Sequence, residues 1–298
     1  MRSPIPGVLA VAVLGATTAA ALGAQTVPGP TRTPVVRSPG NADWAADLTE
    51  ARARAAREKK LVFVEFASRD CGNCQRMDGL LYTAFEFEAL LIPMVPIKLD
   101  LDSGEGKSLA AAYEVRETPS VLIMTPEGRL VFLMQGFLNT PDFYGHAHKE
   151  LDAYRQYSRR IDAQDVSNLS AAEAWKTGQE LLQRHDPAAA LPRFERAAKA
   201  PDAPTALRED ALEAAAAAEL ELGRPSASLQ TIEKLLARTK DEDRRERAEL
   251  FRAQIPLSQN KPAEALRLFE AFRKAHPHSR YTAEVDEIIQ KLRSSGSK

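Results

Sequence analysis

Leu61-Val62-Phe63-Val64-Glu65-Phe66-Ala67, then Ser68-Arg69-Asp70, then Cys71-Gly72-Asn73-Cys74, is the stretch on which the fold turns. Its first seven residues are apolar apart from one acid, the pattern of a strand covered on both faces. The only two cysteines of the chain follow at C-x-x-C spacing. Where a buried strand ends and a helix starts, the first sulfur stands beside unpaired backbone N–H groups, which favour thiolate over thiol. The second sulfur lies one turn inward, close enough to form a disulfide. A C-x-x-C pair also serves as half of a zinc site or as an inert disulfide, so the surrounding elements must decide.

Upstream, Trp44, Leu48, Ala51 and Ala55 recur at helical spacing, which predicts an amphipathic helix over 43–59. Downstream, the helical pattern runs from Cys74 through Met77, Leu80, Leu81, Phe85 and Leu90 and breaks near Pro93. A second strand is expected over 94–101 and a short helix over 108–113. Thr118-Pro119 then precedes the apolar run 120–124, Pro126-Glu127-Gly128 signals a turn, and 130–136 reads as its hairpin partner. A closing helix is expected from Pro141 to about Arg159. Helices alternating with strands and ending in a hairpin imply a mixed sheet covered by helices.

These residues, in this order, resemble the thioredoxin family over about 43–157, closest to exported disulfide-interchange proteins of the DsbD C-terminal-domain type. Glu65, six residues before Cys71, stands where the family has a buried acid, and Lys98 matches the lysine of the next central strand. Thr118-Pro119 matches the dipeptide whose proline is cis in the family, and Gly136 matches the glycine after its last strand. The resemblance implies an α/β thioredoxin-like domain and a thiol–disulfide oxidoreductase without cofactor or metal. Cys71 would attack a partner disulfide and Cys74 would resolve the mixed disulfide.

Cys74 must lose a proton in a partly buried place, and Glu65 is the candidate base. Desolvation would raise its proton affinity and Lys98 would moderate the rise. The plainer reading of the same pair is a structural ion pair. Pro119 offers no N–H, and in the cis form it would let Thr118 present its backbone to an extended substrate; a trans, strand-initiating proline is the alternative. Two positions depart from the family. Asp70 replaces a tryptophan before the first cysteine, and Asn73 replaces a proline between the two. The acid disfavours a Cys71 thiolate, with Arg69 and Arg76 as candidate offsets.

With 298 residues, 44% of them hydrophobic, the chain is long enough for two domains with cores of their own. Forty basic residues against 41 acidic ones leave a formal net charge of -1, which argues against nucleic acid as a partner. Met1-Arg2-Ser3 followed by an apolar, alanine-rich stretch over 8–22 has the plan of a secretory signal peptide, here assigned to 1–24, with an uncleaved anchor as the alternative. Export, most simply to a bacterial periplasm, follows as an expectation. Residues 25–41, rich in Pro, Gly, Thr and Ser, read as a flexible lead-in to a first domain over 42–163.

Residues 164–298 read as helix almost throughout. Gly178…Ala190-Leu191…Phe194…Ala197 recurs as Ala216…Ser228-Leu229…Ile232…Leu235 and as Ala253…Ala265-Leu266…Phe269…Phe272. Three units with small residues at the helix crossings resemble tetratricopeptide repeats, with a capping helix over 281–292 and a generic helical bundle as the alternative. Such a domain would select a partner: a protein bearing disulfides or thiols, or an exported or membrane-bound redox protein. The charged run 241–247 reads as a solvated helix face or loop. Gly104-Glu105-Gly106-Lys107-Ser108 resembles the tail of a phosphate-binding loop but lacks its first glycine. His146 and His148 would need two further ligands to hold a metal. The rival functions are a non-catalytic scaffold carrying a structural disulfide and a metallochaperone.

Overall fold

The computed structural model describes residues 43–295, residue 103 excepted, so the expected signal peptide and lead-in lie outside the described residues. The chain divides into two compact units. The first runs α1 (Leu48–Glu58), β1 (Leu61–Ala67), α2 (Gly72–Leu80), α3 (Phe85–Leu91), β2 (Met94–Asp100), α4 (Gly104–Ala112), β3 (Ser120–Met124), β4 (Leu130–Gln135) and α5 (Thr140–Asp162). Its sheet has the order β2-β1-β3-β4, with β1 parallel to β2 and the other pairs antiparallel.

β1 is buried along nearly its whole length because helices cover both faces. Phe63 joins Met77, Tyr82, Phe87 and Phe143 on one side, while Val62, Val64 and Phe66 join Ala51, Ala55 and Leu109 on the other. Glu65 shares the face of Phe63, since side chains alternate along a strand. The register sets it opposite Lys98 of β2 and Val121 of β3.

Three helix boundaries differ from the sequence expectation, each for a local reason. α1 starts at Leu48 because the Asp47 side chain accepts the Glu50 N–H at 2.8 Å, while Ala45 N–H donates to Pro96 O along the edge of β2. The single helix expected from Cys74 to Leu90 is two. Thr83 Oγ1 donates to Gly79 O and Tyr144 Oη to Leu81 O, which satisfies the end of α2 while Leu81 and Tyr82 turn into the core. α4 begins four residues earlier than expected, and Gly106 lets it pack directly on the end of β2.

The second unit is helical: α6 (Ala171–Gln183), α7 (Pro187–Lys199), α8 (Thr205–Glu221), α9 (Pro225–Leu236), α10 (Glu242–Ser258), α11 (Pro262–Ala275) and α12 (Thr282–Ser295), after a 3-10 turn at Val166–Asn168. Links within the pairs are short (184–186, 222–224, 259–261) and links between them longer (200–204, 237–241). His185, Gly223 and Asn260 occupy the left-handed region at the same place in each short link, and Pro187, Pro225 and Pro262 open the following helix. This recurrence is what a helical repeat requires.

The charged run 241–247 is not simply a solvated face. Asp241 caps α10 by accepting the Arg244 N–H, and the Arg244 side chain is buried between Glu209 and Asp210 of α8. Arg247 similarly meets Glu213 at 3.1 Å. The run therefore joins α8 to α10, the first helices of consecutive pairs.

Gly106 provides a test of the packing in the first unit. In an exposed helix, Gly→Ala gains about 1 kcal/mol. Here a Cβ would run into Asp100 O. Overpacking against backbone costs about 1–3 kcal/mol, so Gly106→Ala is expected to destabilise the chain, read as a lower urea midpoint at unchanged slope.

Candidate active site

The end of β1 delivers the chain into the loop 68–71 and then into α2. Cys71 is the N-cap of α2, with extended backbone, and its Sγ accepts the Cys74 N–H at 3.0 Å. The first turn of the helix thus sets one backbone N–H, shared with Cys71 O at 3.1 Å, on the first sulfur. Cys74 lies one turn in and is 4% exposed. The two are joined as a disulfide with Cα atoms 5.2 Å apart.

Thr118-Pro119 leads into β3, and its peptide bond is cis. Thr118 Oγ1 lies 3.0 Å from Ser68 Oγ, so a hydroxyl pair ties the loop before Pro119 to the loop that carries the cysteines. Gly136, at φ +82, donates its N–H to Pro119 O at 2.9 Å from the end of β4. Arg76, a candidate offset to Asp70, lies over the Phe137 ring, 4.7 Å from its centre.

Glu65 is fully buried, and Lys98 Nζ stands 3.1 Å from its Oε1. The ammonium and the buried Tyr82 hydroxyl both interact with this carboxylate. The Lys98 ammonium also bonds Asp78, to Oδ1 at 2.8 Å and Oδ2 at 3.1 Å, so it is shared between the two carboxylates. Desolvation pushes the Glu65 carboxyl up to about 7; Lys98 opposes the rise and the Asp78 charge adds to it. Burial and the nearby Glu65 hold the Tyr82 hydroxyl well above its ordinary value.

Of the residues singled out from sequence, Cys71 meets Cys74, Glu65 meets Lys98, and Thr118 is bonded to the cysteine loop. Three neighbours, Asp78, Ser68 and Tyr82, were not anticipated. Asp78 was legible only as a residue four after Cys74, on the same helix face. Ser68 carried no signal beyond its nearness to Cys71. Among the described residues no group of three or more His, Cys, Asp or Glu side chains could hold a metal ion, and His146 and His148 lie along α5.

Residues 43–126 match the model of a family described as thioredoxin-like. This segment is thioredoxin-like. The thioredoxin-like unit is similar to the solution structure of a thioredoxin from Thermus thermophilus, 27% identical over 34% of this chain and 80% of that one, with a TM-score of 0.31. It is similar to the oxidised C-terminal domain of Neisseria meningitidis DsbD, 20% identical over 36% and 99%, with a TM-score of 0.32. A poplar thioredoxin h is 26% identical over 35% and 83%, with a TM-score of 0.27. The family match and the strand topology, not these partial likenesses, carry the fold. No curated protein matches the chain. A thioredoxin-like domain with its C-x-x-C pair at disulfide distance has the framework of a redox oxidoreductase.

The raised proton affinity of Glu65 makes stability depend on pH. Between its ordinary value of 4.5 and about 7 the folded chain holds a proton that the unfolded chain has lost. Stability therefore falls as pH rises across that window, and the full burial cost stands above it, roughly 3 kcal/mol for a shift of this size. Glu65→Gln is expected to remove this part of the decline. Urea unfolding of both oxidised proteins at pH 5 and pH 8 checks it, and equal declines in the two would refute the assignment.

Proposed function

We propose that the chain is an exported thiol–disulfide oxidoreductase acting on protein disulfides, with its helical unit as the module that binds a partner. The observation that carries the reading is Cys71 Sγ at the N-terminus of α2, receiving the Cys74 N–H at 3.0 Å. An N–H aimed at sulfur favours the thiolate over the thiol once the disulfide is opened.

In the reductive direction the Cys71 thiolate attacks one sulfur of a substrate disulfide, forming a mixed disulfide and releasing the other sulfur as a thiolate. Cys74 then gives its proton to Glu65 and attacks Cys71 Sγ. The Cys71–Cys74 bond forms, the mixed disulfide breaks, and the second substrate sulfur leaves as a thiolate that takes a proton from water. Two electrons pass from the protein to the substrate, and the reverse sequence oxidises a dithiol. Lys98 moderates the basicity of Glu65. Thr118 and Pro119 form the edge against which an extended substrate segment lies, and Ser68 holds that edge to the cysteine loop.

The expected signal peptide at 1–24 supports export, and among the described residues no helix is long and apolar enough to cross a membrane. The partners this reading calls for are proteins bearing disulfides or thiols and an exported or membrane-bound redox protein that resets the pair. The recurring left-handed links and helix-opening prolines of the second unit support a tetratricopeptide-like stack with a face for such a partner.

Equilibration in glutathione buffers tests the couple, and its potential gives the direction of the reaction. Cys74→Ser, treated with glutathione disulfide, is expected to stop at a stable Cys71–glutathione adduct visible by mass, and Cys71→Ser to form much less. A pair that stays oxidised at strongly reducing poise, with a Cys74→Ser variant that captures nothing, would leave the disulfide as a structural link in a scaffold.

A further inference from the structure

α2 carries two faces past the cysteines. Cys74 and Met77 lie on the buried one. Arg76 stands one helical turn after Gly72, on the exposed face that begins beside Cys71. Its guanidinium lies over the Phe137 ring, and among the described residues no ion pair or hydrogen bond engages it. Phe137 is partly buried and packs against the core cluster that includes Met77 and Phe143, so the ring is held from behind. It also follows Gly136, whose N–H donates to Pro119 O. The ring thus links the edge at Thr118-Pro119, assigned above to the substrate, with the exposed face of the cysteine helix, and it holds a cation there.

We propose that Arg76 is a specificity-determining residue: its guanidinium, held over Phe137, receives a carboxylate that flanks the substrate cysteine, so the preferred substrates are proteins with an acidic residue beside the disulfide. This selectivity rests on the oxidoreductase reading above and names the substrate class of the same site. An aromatic face attracts a guanidinium but leaves the N–H groups along its edge unpaired, and that fork of donors matches the two oxygens of a carboxylate. The ring also orders the arginine beforehand, which lowers the entropy lost when a partner binds. Neighbouring charges do not neutralise the cation. Arg69 and Asp70 are exposed, adjacent and of opposite sign, and Glu117, beside Gly136, forms no ion pair with Arg76. The rim therefore carries a cation on the helix side and an anion on the loop before Pro119.

The reduced full chain is mixed with three disulfides. One is uncharged bis(2-hydroxyethyl) disulfide; the others are two short peptides of one sequence, each with a single cysteine capped by 2-mercaptoethanol and flanked by Glu in one and by Lys in the other. Oxidation of the chain is followed by mass, and the quotient of second-order rate constants, Glu peptide over Lys peptide, reads the selectivity. Differences in the peptides' own sulfur reactivity are the same for every variant and cancel when quotients are compared. Arg76→Gln is expected to lower the quotient about fivefold at low ionic strength, the size of an exposed ion pair lost with one peptide and a repulsion lost with the other. Phe137→Leu fills the space without a ring face and is expected to lower it part of the way. An unchanged quotient in Arg76→Gln overturns the proposal, as does an equal slowing with all three disulfides, which would leave the stacked pair a structural contact. A quotient that only Phe137→Leu leaves intact overturns the role of the ring. A wild-type chain inert toward all three disulfides loses the oxidoreductase reading, and the selectivity falls with it; a wild-type chain that reacts with an unselective quotient loses the selectivity alone.

Discussion

β1 is hydrogen-bonded along both edges, and the rest of the site depends on that double pairing. Its parallel register with β2 sets Glu65 beside Lys98, and its antiparallel register with β3 sets Phe66 beside Ser120. Because β3 runs the other way, its first residue lies where β1 ends. The loop leaving β1 and the loop entering β3 therefore meet at one end of the sheet, and the Ser68–Thr118 hydroxyl pair is the contact between them. A one-residue slip of β1 would turn Glu65 to the opposite face and separate it from Lys98. The large apolar side chains on each face of β1 oppose such a slip, since each would have to leave its own layer of the core.

A carboxylate at the centre of that strand is an expensive choice. Taking it from water costs several kcal/mol unless a partner compensates it fully, and the Lys98 ammonium compensates it only in part because it is shared with Asp78. Protonation is the remaining way to lower the cost, and it moves the carboxyl to the range where a group can both accept and release a proton near neutral pH. A hydrophobic residue would serve stability better. What the acid adds is a buried group whose proton affinity burial raises and the shared ammonium lowers.

The strands and their order were legible because each is an apolar run bounded by turn residues, and the C-x-x-C marked the start of α2. Glu65 and Lys98 were legible through resemblance, as positions in a known pattern. Asp78 was not, since a lone acid on a helix reads as a solvated charge until the strand beneath supplies a lysine. The split between α2 and α3 was hidden for a similar reason: Leu81 and Tyr82 fit a helical period, and only Tyr144, 63 residues from Leu81, shows that its carbonyl is bonded elsewhere. Arg244 misled in the opposite way. Its place in a dense run of charges suggested solvent, but its partners Glu209 and Asp210 lie on another helix, and pairing across that gap let it be buried.

The helical unit shows why its repeat is faint in composition yet regular in geometry. At the crossing of each pair a small residue must face a large one, and the three pairs meet that demand with Gly178 under Phe194, Ala216 with Ile232, and Ala253 with Phe269. Phe194 leaves no room for a Cβ at 178, whereas 216 and 253 accommodate alanine. The packing constrains the size at each crossing and leaves identity free, so a search for identical residues finds little. The links are more restrictive, because a left-handed residue followed two positions later by a helix-opening proline has few chemical solutions. Gly223 and Asn260 close their helices alike, with Arg224 N–H returning to Glu219 O and Lys261 N–H to Pro256 O. Backbone geometry at the links is therefore regular where the side chains at the crossings differ.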